Sequence, residues 1–597
     1  MNIYRERINA LREQMRMHDM DAYIIVTDDF HGSEYVGEYF KARAYVSGFT
    51  GSAGTLVVLD DQAALWTDGR YFIQAQKQLE GSTITLMKSG EAGVPAIGEF
   101  LAQNLSQGAN IGFDGRTMTC KFVDQIFESI DGLEMNFCGE TDLVDIIWEN
   151  RPELSKEMVW SVTDYAGETR ESKIKRVREK MKEVTAQVYL VSALDEIAWL
   201  LNLRGNDVAC TPVFLSYLII GKEFLYLYVN EEILRKEIRE QLELCGIEIR
   251  EYNKIYRDIN FISKDKMVLL DGDSTNYAMI TSMDDNAMII DEISPIKLLK
   301  AVKNKVECKN AVDIHVKDGV AVTKFMYWLK TNIGKIPMDE IMVAEKLEEF
   351  RRLHNDYIGP SFEPIMAYGE HGAIVHYSAT KETNQELKAE GFLLSDTGGH
   401  YLGGTTDCTR TYALGKLTDE ERRDYTLVLM GNLRLAAAKY KSGIRGINLD
   451  ILAREPLWEY GLDYNHGTGH GVGNVLNVHE GPNSFRWQTI AGGKDSAVLE
   501  EGMITSNEPG IYITGKFGVR LENLILCEKE KTTEYGQFMH FKTLTMIPFD
   551  LEAVDITYMT NNDIELLNAY HKEVYHTLKD YLTEEEREWL EQATREL

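Results

Sequence analysis

Residues 391–414, GFLLSDTGGHYLGGTTDCTRTYAL, and residues 503–526, MITSNEPGIYITGKFGVRLENLIL, are two versions of one design. Each reads as strand, glycine-rich connection, strand. The first carries Asp396 and Asp407; the second carries Glu508 and Glu522, with a turn around Gly515–Gly518. Paired strands present side chains of one face opposite each other, so each pair can aim its two acids at a common point. Four carboxylates converging in a folded interior repel one another and lose their hydration. Two divalent cations would offset both penalties, four negative charges against four positive. Hard oxygen ligands with one imidazole suit Mn2+, and less selectively Co2+, Fe2+ or Zn2+. Two such ions about 3.5–4 Å apart hold and deprotonate a water as a nucleophile.

The imidazole is sought in NHGTGHGVGNVLNVHEGP, residues 465–482, which contains His466, His470 and His479. His466 and His470 are four apart, as in the zinc signature H-E-x-x-H, but that signature needs a helix and a glutamate after the first histidine. Here Gly467, Thr468 and Gly469 fill the gap, Gly471 and Gly473 follow, and such glycine density argues against a helix. Taken singly, each residue has an ordinary reading: an Asp near a strand end is a turn or cap residue, NEPG is a turn, and a histidine lines a loop. The ordered set Asp396, Asp407, His470, Glu508 and Glu522, each within a glycine-rich strand motif, points to a metal site.

The rest of the chain frames this region. Its 597 residues exceed one domain. With 64 basic and 95 acidic residues the formal charge is −31, which disfavours nucleic acid and anionic membrane surfaces as partners. Seven cysteines stand singly, with no C-x-x-C pair, as in reduced cytosolic proteins. The opening MNIYRERINALREQMRMHDMDAY is charged and helical in pattern, unlike a signal peptide, and no 18-residue apolar span follows. A cytoplasmic location is expected.

Residues 1–160 open with an amphipathic helix and the strand DAYIIV. β-like runs follow on either side of Asp60-Asp61, then alternating helices and strands, the pattern of an α/β domain. Residues 161–302 repeat the order, from the charged helix TRESKIKRVREKMKEVTA into QVYLVS. There VFLSYLIIGKEFLYLYV parallels AGTLVVLDDQAALWT, which predicts a duplicated α/β unit. Residues 303–597 form the largest unit, from a long helical stretch through the glycine- and acid-rich strands to a charged helical tail from about 562. GFTGSAG (48–54) lacks the Lys-Ser/Thr ending of a phosphate-binding P-loop and reads as a glycine-rich turn. His371 and His400 match no motif and read as solvent or loop residues.

SDTGGHYLGGTTDCTRT, HGTGHGVGNVLNVHEGP, SNEPGIY and VRLENL resemble the signature of the pita-bread metallopeptidases. SEYVGEYFKARAYVSGFTGSAG, WTDGRYF and SALDEIAWLLNLRG narrow the resemblance to the three-domain, cytosolic-type Xaa-Pro aminopeptidases. The motifs occur in order across most of the chain. The resemblance implies an α/β (α+β) protein, two creatinase-like N-terminal domains before a pita-bread catalytic domain. It implies two metal ions: Asp396 on the first, His470 and Glu508 completing the second, Asp407 and Glu522 bridging both. His479 and His376, in AIVHYSAT, resemble the family's substrate-side histidines, and His466 matches a further pocket histidine. Arg520 matches an arginine that orients nearby carboxylates, and strand alternation puts it on the face of Glu522.

The implied reaction is metal-dependent release of the N-terminal residue from peptides with proline second, by a hydroxide bridging the two ions, with Glu508 as proton shuttle. A homodimer is implied as well. The alternative within the class is a prolidase, limited to Xaa-Pro dipeptides; two complete domains ahead of the catalytic unit favour the aminopeptidase. Creatinase shares the fold without a metal, against which the five-ligand set argues. The rival of another class is a peptidase-like module that binds peptides without catalysis and has lost its ligands; bound metal discriminates it.

Overall fold

A computed structural model describes residues 2–130, 132–488 and 497–597. The chain divides into two compact units, one of residues up to Ser161 with Glu168–Ile296, the other of Val162–Gly167 with Lys297–Leu597.

The first unit holds two six-stranded sheets. One is built from β1 (Ala22–Val26), β2 (Thr55–Leu59), β3 (Ala63–Thr67), β4 (Ile84–Lys88), β5 (Asn110–Phe113) and β6 (Asn136–Cys138), in the order β4-β3-β2-β1-β5-β6. The other is built from β7 (Val188–Val191), β8 (Ser216–Gly221), β9 (Leu225–Val229), β10 (Glu248–Arg250), β11 (Met267–Leu270) and β12 (Met288–Asp291), in the order β10-β9-β8-β7-β11-β12. Subtracting six from each label gives the same order. The pairings agree too: the three strands of each hairpin run (β1-β2-β3, β7-β8-β9) are antiparallel and the flanking strands parallel. The predicted duplication is therefore one of topology.

Alternation explains the cores. Tyr23, Ile25, Leu56, Val58 and Leu65 pack on one face of the first sheet, and Ala22, Ile24, Val57, Leu59 and Trp66 on the other. Both faces are covered, so the central strands read as continuous apolar runs. The helix Ile3–Met17, capped by the Asn2 side chain on Tyr4 N–H, buries Ile8, Leu11 and Met15 at helical spacing. Gly48, at φ +79°, ends the helix Ala42–Ser47, so GFTGSAG is a turn of the kind expected.

The longest helix of the second unit, Lys305–Asn332, is started by a capping box between Asn304 and Glu307. Ile365–Tyr368, Phe392–Thr397 and Cys408–Ala413 form a three-stranded sheet; Lys439–Lys441, Gly536–Thr543, Asn523–Thr533, Ile504–Asn507, Gly469–Gly471 and Glu480–Phe485 form a six-stranded one, in that spatial order. The C-terminal helices Asn561–Leu578 and Glu584–Ala593 are not a loose tail, because Leu567, Val574, Leu578 and Leu590 are buried in the core of this unit. Among the described residues no helix is long and apolar enough to cross a membrane.

His571 sits fully buried on the first of these helices and accepts the Phe549 N–H at Nε2, 3.1 Å. Burial, with the charges of Arg410 and Arg595, pushes its imidazole down to about 3. Unfolding returns it to an ordinary imidazole, so the unfolded chain binds the extra proton between the two values. The stability this residue contributes is complete above about pH 6.5 and is lost, by about 1.4 kcal/mol per pH unit, as pH falls toward 3. Denaturant melts of His571→Gln should show a shallower loss of stability between about pH 6.5 and 4 than wild type.

Candidate metal centre

The two acid-bearing stretches fold alike. Strands Phe392–Thr397 and Cys408–Ala413 pair so that Thr397 faces Cys408, and Ile504–Asn507 pairs with Asn523–Thr533 so that Asn507 faces Asn523. The chain between each pair forms a smaller hairpin, Gly399–Tyr401 with Gly404–Thr405 and Gly510–Ile513 with Phe517–Arg520. The four carboxylates thus lie where the outer strands open into the inner hairpins. Asp396 is the penultimate residue of its strand, Asp407 precedes Cys408, Glu508 follows Asn507 and Glu522 precedes Asn523.

His470 lies in the short strand Gly469–Gly471, held by Ser506 Oγ on its backbone N–H and by pairing beside Ile504–Asn507. Its Nε2 is 3.5 Å from Asp407 Oδ2 and 3.4 Å from Glu508 Oε1. Ligand atoms of Asp407, His470 and Glu522 all lie within 4.8 Å of one another. Asp396 faces the same point, its charge acting on Asp407, Glu508 and Glu522. Burial first, then Asp396 and Glu508, push the Asp407 carboxyl well up; burial first, then Asp407, does the same to Glu522. Burial raises Glu508 up to about 7.

Two of the acceptor atoms, Asp396 Oδ1 and Glu522 Oε1, are buried with no hydrogen-bond donor. Buried carboxylate oxygens without donors, among carboxylates that repel one another, are the chemistry of a cation-binding site. The donor set is oxygen plus one imidazole. Cys408, although next to Asp407, sits on the opposite strand face with its Sγ toward Glu522 O. The residues therefore fit hard divalent ions.

Arg520 is buried, and its Nη2 meets Asp396 Oδ2 at 2.6 Å. It reaches Glu522 through Thr409, whose Oγ1 accepts Arg520 Nε–H at 3.3 Å and donates to Glu522 Oε2 at 2.8 Å. Its Nη1 donates to Tyr512 OH at 2.8 Å, and the same hydroxyl is 2.8 Å from His466 Nε2. The His479 ring stands edge-on to His470, centroids 4.4 Å apart. His376 is half-buried in a turn beside Val375, whose carbonyl accepts from Arg520 Nη2 at 3.4 Å.

Two histidines depart from expectation. His400 is not a solvent residue: it lies in strand Gly399–Tyr401, 3% exposed, with Nδ1 at 3.0 Å from Thr405 Oγ1. His371 lies in the 3-10 helix Gly369–Ala373 and is held in place. Its Nδ1 is 2.8 Å from Glu340 Oε1 and its ring stacks on Tyr377, in the segment that carries His376.

Sequence reasoning missed Tyr512, Thr409 and the network beneath the histidine loop. Arg454, in the helix Ile451–Trp458, donates Nε–H to Asp450 Oδ2 (2.7 Å), Nη1–H to Asp463 Oδ1 (2.7 Å) and Tyr464 O (2.8 Å), and Nη2–H to His466 O (2.7 Å). Thr468 Oγ1 bonds Asp450 Oδ1, and its carbonyl accepts the Glu508 N–H at 2.8 Å. The available signal was a basic residue in the largely apolar run ILAREPLW, four after Asp450.

Residues 309–529 match the profile of metallopeptidase family M24, and 537–597 that of its C-terminal region. Residues 7–146 and 150–307 match two profiles of the creatinase/prolidase N-terminal domain. The chain is 37% identical to a probable Xaa-Pro aminopeptidase P of Talaromyces marneffei, over 99% of this chain and 92% of that protein. An X-prolyl aminopeptidase from Caenorhabditis elegans, described as a cytosolic enzyme with a di-nuclear active site, superposes with a TM-score of 0.94 at 32% identity, covering 99% of both chains. An Xaa-Pro dipeptidase from Bacillus anthracis, 25% identical with a TM-score of 0.50, covers 99% of its own length but 64% of this chain.

Proposed function

This chain belongs to the M24 metallopeptidases, in the family of the Xaa-Pro aminopeptidases P, and from that premise we propose that it removes the N-terminal residue from peptides whose second residue is proline. The observation that carries the reading is the convergence of Asp407, His470 and Glu522 with Asp396 and Glu508 at the strand openings. The aminopeptidase reading is favoured over a dipeptidase because the aminopeptidase relative matches nearly the whole chain and the dipeptidase about two thirds of it.

Asp396 would hold the first of two divalent ions, His470 and Glu508 the second, and Asp407 and Glu522 both; a carboxylate-rich set with one imidazole favours Mn2+. When bound, the ions supply Lewis acidity and lower the pKa of water. Glu508, with Oε1 near Ser506 Oγ and His470 Nε2, is the residue that takes the proton of the attacking water and delivers it to the leaving proline nitrogen. His479, beside His470, and His376 hydrogen-bond the scissile carbonyl or the proline end as the carbon becomes tetrahedral. His466, tethered to Tyr512, lines the pocket, and Arg520 holds Asp396 in place. The acidic surroundings favour the free amine of the substrate, consistent with action from the N-terminus.

The boundaries at residues 160 and 302 divide the chain into two creatinase-like domains and the catalytic one. A cytoplasmic location is supported by seven singly scattered cysteines with no C-x-x-C pair and by the description of the worm relative as cytosolic. A homodimer through the catalytic unit is supported by an exposed apolar patch there. Trp458 packs on Trp487 and Tyr460 on Tyr558, with Ile451 and Ile556 exposed on the segments that carry them.

The test is turnover of an Xaa-Pro-Xaa tripeptide by metal-stripped protein and after Mn2+ is restored, beside Xaa-Ala-Xaa and Xaa-Pro. Mn2+-dependent release of the first residue, mainly from Xaa-Pro-Xaa, is the expected result. Cleavage confined to Xaa-Pro would make the protein a prolidase, and no cleavage with any divalent ion would overturn the catalytic reading.

A further inference from the structure

Glu480 follows His479 in the chain, and its carboxylate is gripped by two lysines: Oε2 lies 2.7 Å from Lys300 Nζ and Oε1 2.6 Å from Lys303 Nζ. All three side chains are 1–2% exposed. We propose that this Lys300–Glu480–Lys303 cluster positions the His479 imidazole beside His470, making Glu480 a positioning residue for the reaction; the inference rests on the reading of His479 as a substrate-side group.

The backbone that leads to His479 is irregular. Residues 472–479 form no helix or strand, and Val475 within them has a positive φ of 54°. Regular structure resumes at Glu480, the first residue of strand Glu480–Phe485, opposite Gly471. Even there the register shifts, with His470 opposite Ser484 and Gly471 opposite Glu480. Buried Val475, Leu476 and Val478 seat the loop, the pairing that closes it at His479 is irregular, and the Glu480 side chain supplies a charged anchor at that end. Consecutive residues entering a strand face opposite ways, so with the His479 ring edge-on to His470, 4.4 Å away, the Glu480 carboxylate turns from the site toward the lysines.

The lysines arrive from the segment that leads into the catalytic unit. Lys300 is in the last turn of helix Pro295–Ala301, and Lys303 lies just before helix Lys305–Asn332. That segment is itself joined to the strand preceding Glu508: Lys303 N–H donates to Gly502 O at 3.0 Å, and Val302 bridges Met503. The cluster so links three pieces of the centre, the entry segment, the His479 loop and the strand that leads into Glu508. One lysine would suffice to neutralise one carboxylate. A second buried cation is a poor device for stability, and fixing geometry is the better-attested use of such groups.

The experiment uses the full-length, Mn2+-loaded protein on an Xaa-Pro-Xaa tripeptide, with kcat and KM measured separately and bound metal quantified. The variants are Glu480→Gln, Lys303→Met, His479→Ala and the double variants with His479→Ala. Lys303→Met leaves a one-to-one ion pair and serves if Glu480→Gln does not fold. The expected result is a fall in kcat of about 10–100-fold for Glu480→Gln, the range seen for partners that orient site residues, and a smaller fall for Lys303→Met. KM and metal content should stay near wild type. In the His479→Ala background either change should cost no more than about twofold, because a residue acting through His479 has nothing left to position. A general weakening of the fold would instead add its full cost in both backgrounds. Wild-type kcat in folded Glu480→Gln or Lys303→Met beside an impaired His479→Ala overturns the inference alone, as does an undiminished loss in the double variants. Wild-type kcat in His479→Ala overturns the reading of His479 and the inference with it.

Discussion

Asp407→Asn should abolish turnover and metal loading while leaving the metal-free protein at least as stable as metal-free wild type. Asp407 is 4% exposed, within reach of His470 Nε2, and adjoins the charges of Asp396 and Glu508. Removing a carboxylate proposed to touch both ions takes away several kcal/mol of transition-state stabilisation, which at about 1.4 kcal/mol per decade is on the order of 10³-fold or more in rate. The same change relieves repulsion in a cluster whose neighbours are pushed toward protonation by burial and by one another. The two effects therefore have opposite signs. Wild type should lose several degrees of Tm on treatment with a chelator and regain them with Mn2+, whereas Asp407→Asn should melt at one temperature in both conditions. Elemental analysis beside calorimetry reads both. Full activity with two bound metals in the variant would show that Asp407 is not a ligand.

The carboxylates were legible in the sequence because their signal is local. A strand, a glycine-rich connection and a strand place Asp396 near Asp407, and Glu508 near Glu522, within one pairing each. The duplicated sheets were legible for the same reason, since each strand's apolar run and its turn residues are adjacent in the chain. Residues that act across distance were not. Glu480 meets Lys300 and Lys303 about 180 residues earlier, and Tyr512 gains meaning only when His466, 46 residues earlier, joins it and its hairpin neighbour Arg520. His400 shows the complementary failure: one histidine in a glycine-rich stretch carries no burial signal of its own until strand Gly399–Tyr401 pairs on both sides. The segment Val162–Gly167 groups with the second unit because Asn304 and Asn310 donate to Ala166 O and Tyr165 O. No linker composition marks that exchange.

Arg454→Met should cost the catalytic unit much of its stability. The guanidinium makes four hydrogen bonds and lies 3.8 Å from the centroid of the Tyr464 ring, with both its own side chain and that of Asp450 at 0% exposure. Breaking a buried pair from one side leaves the other charge uncompensated, which costs about 3–5 kcal/mol. For a unit of this size that is on the order of 10 °C in Tm. Replacing both partners by apolar groups of similar volume is close to neutral in comparable cases, so Arg454→Met with Asp450→Leu should recover much of the Tm. Activity should not return with it. The pair also holds the His466 carbonyl directly, and through Thr468, whose carbonyl accepts the Glu508 N–H, it sets the approach of the histidine loop to the carboxylates. An apolar pair packs but cannot make those bonds. A double variant that is stable and fully active would mean the network serves the fold alone; one that is stable and slow, with Mn2+ bound more weakly, would place it in the machinery of the site.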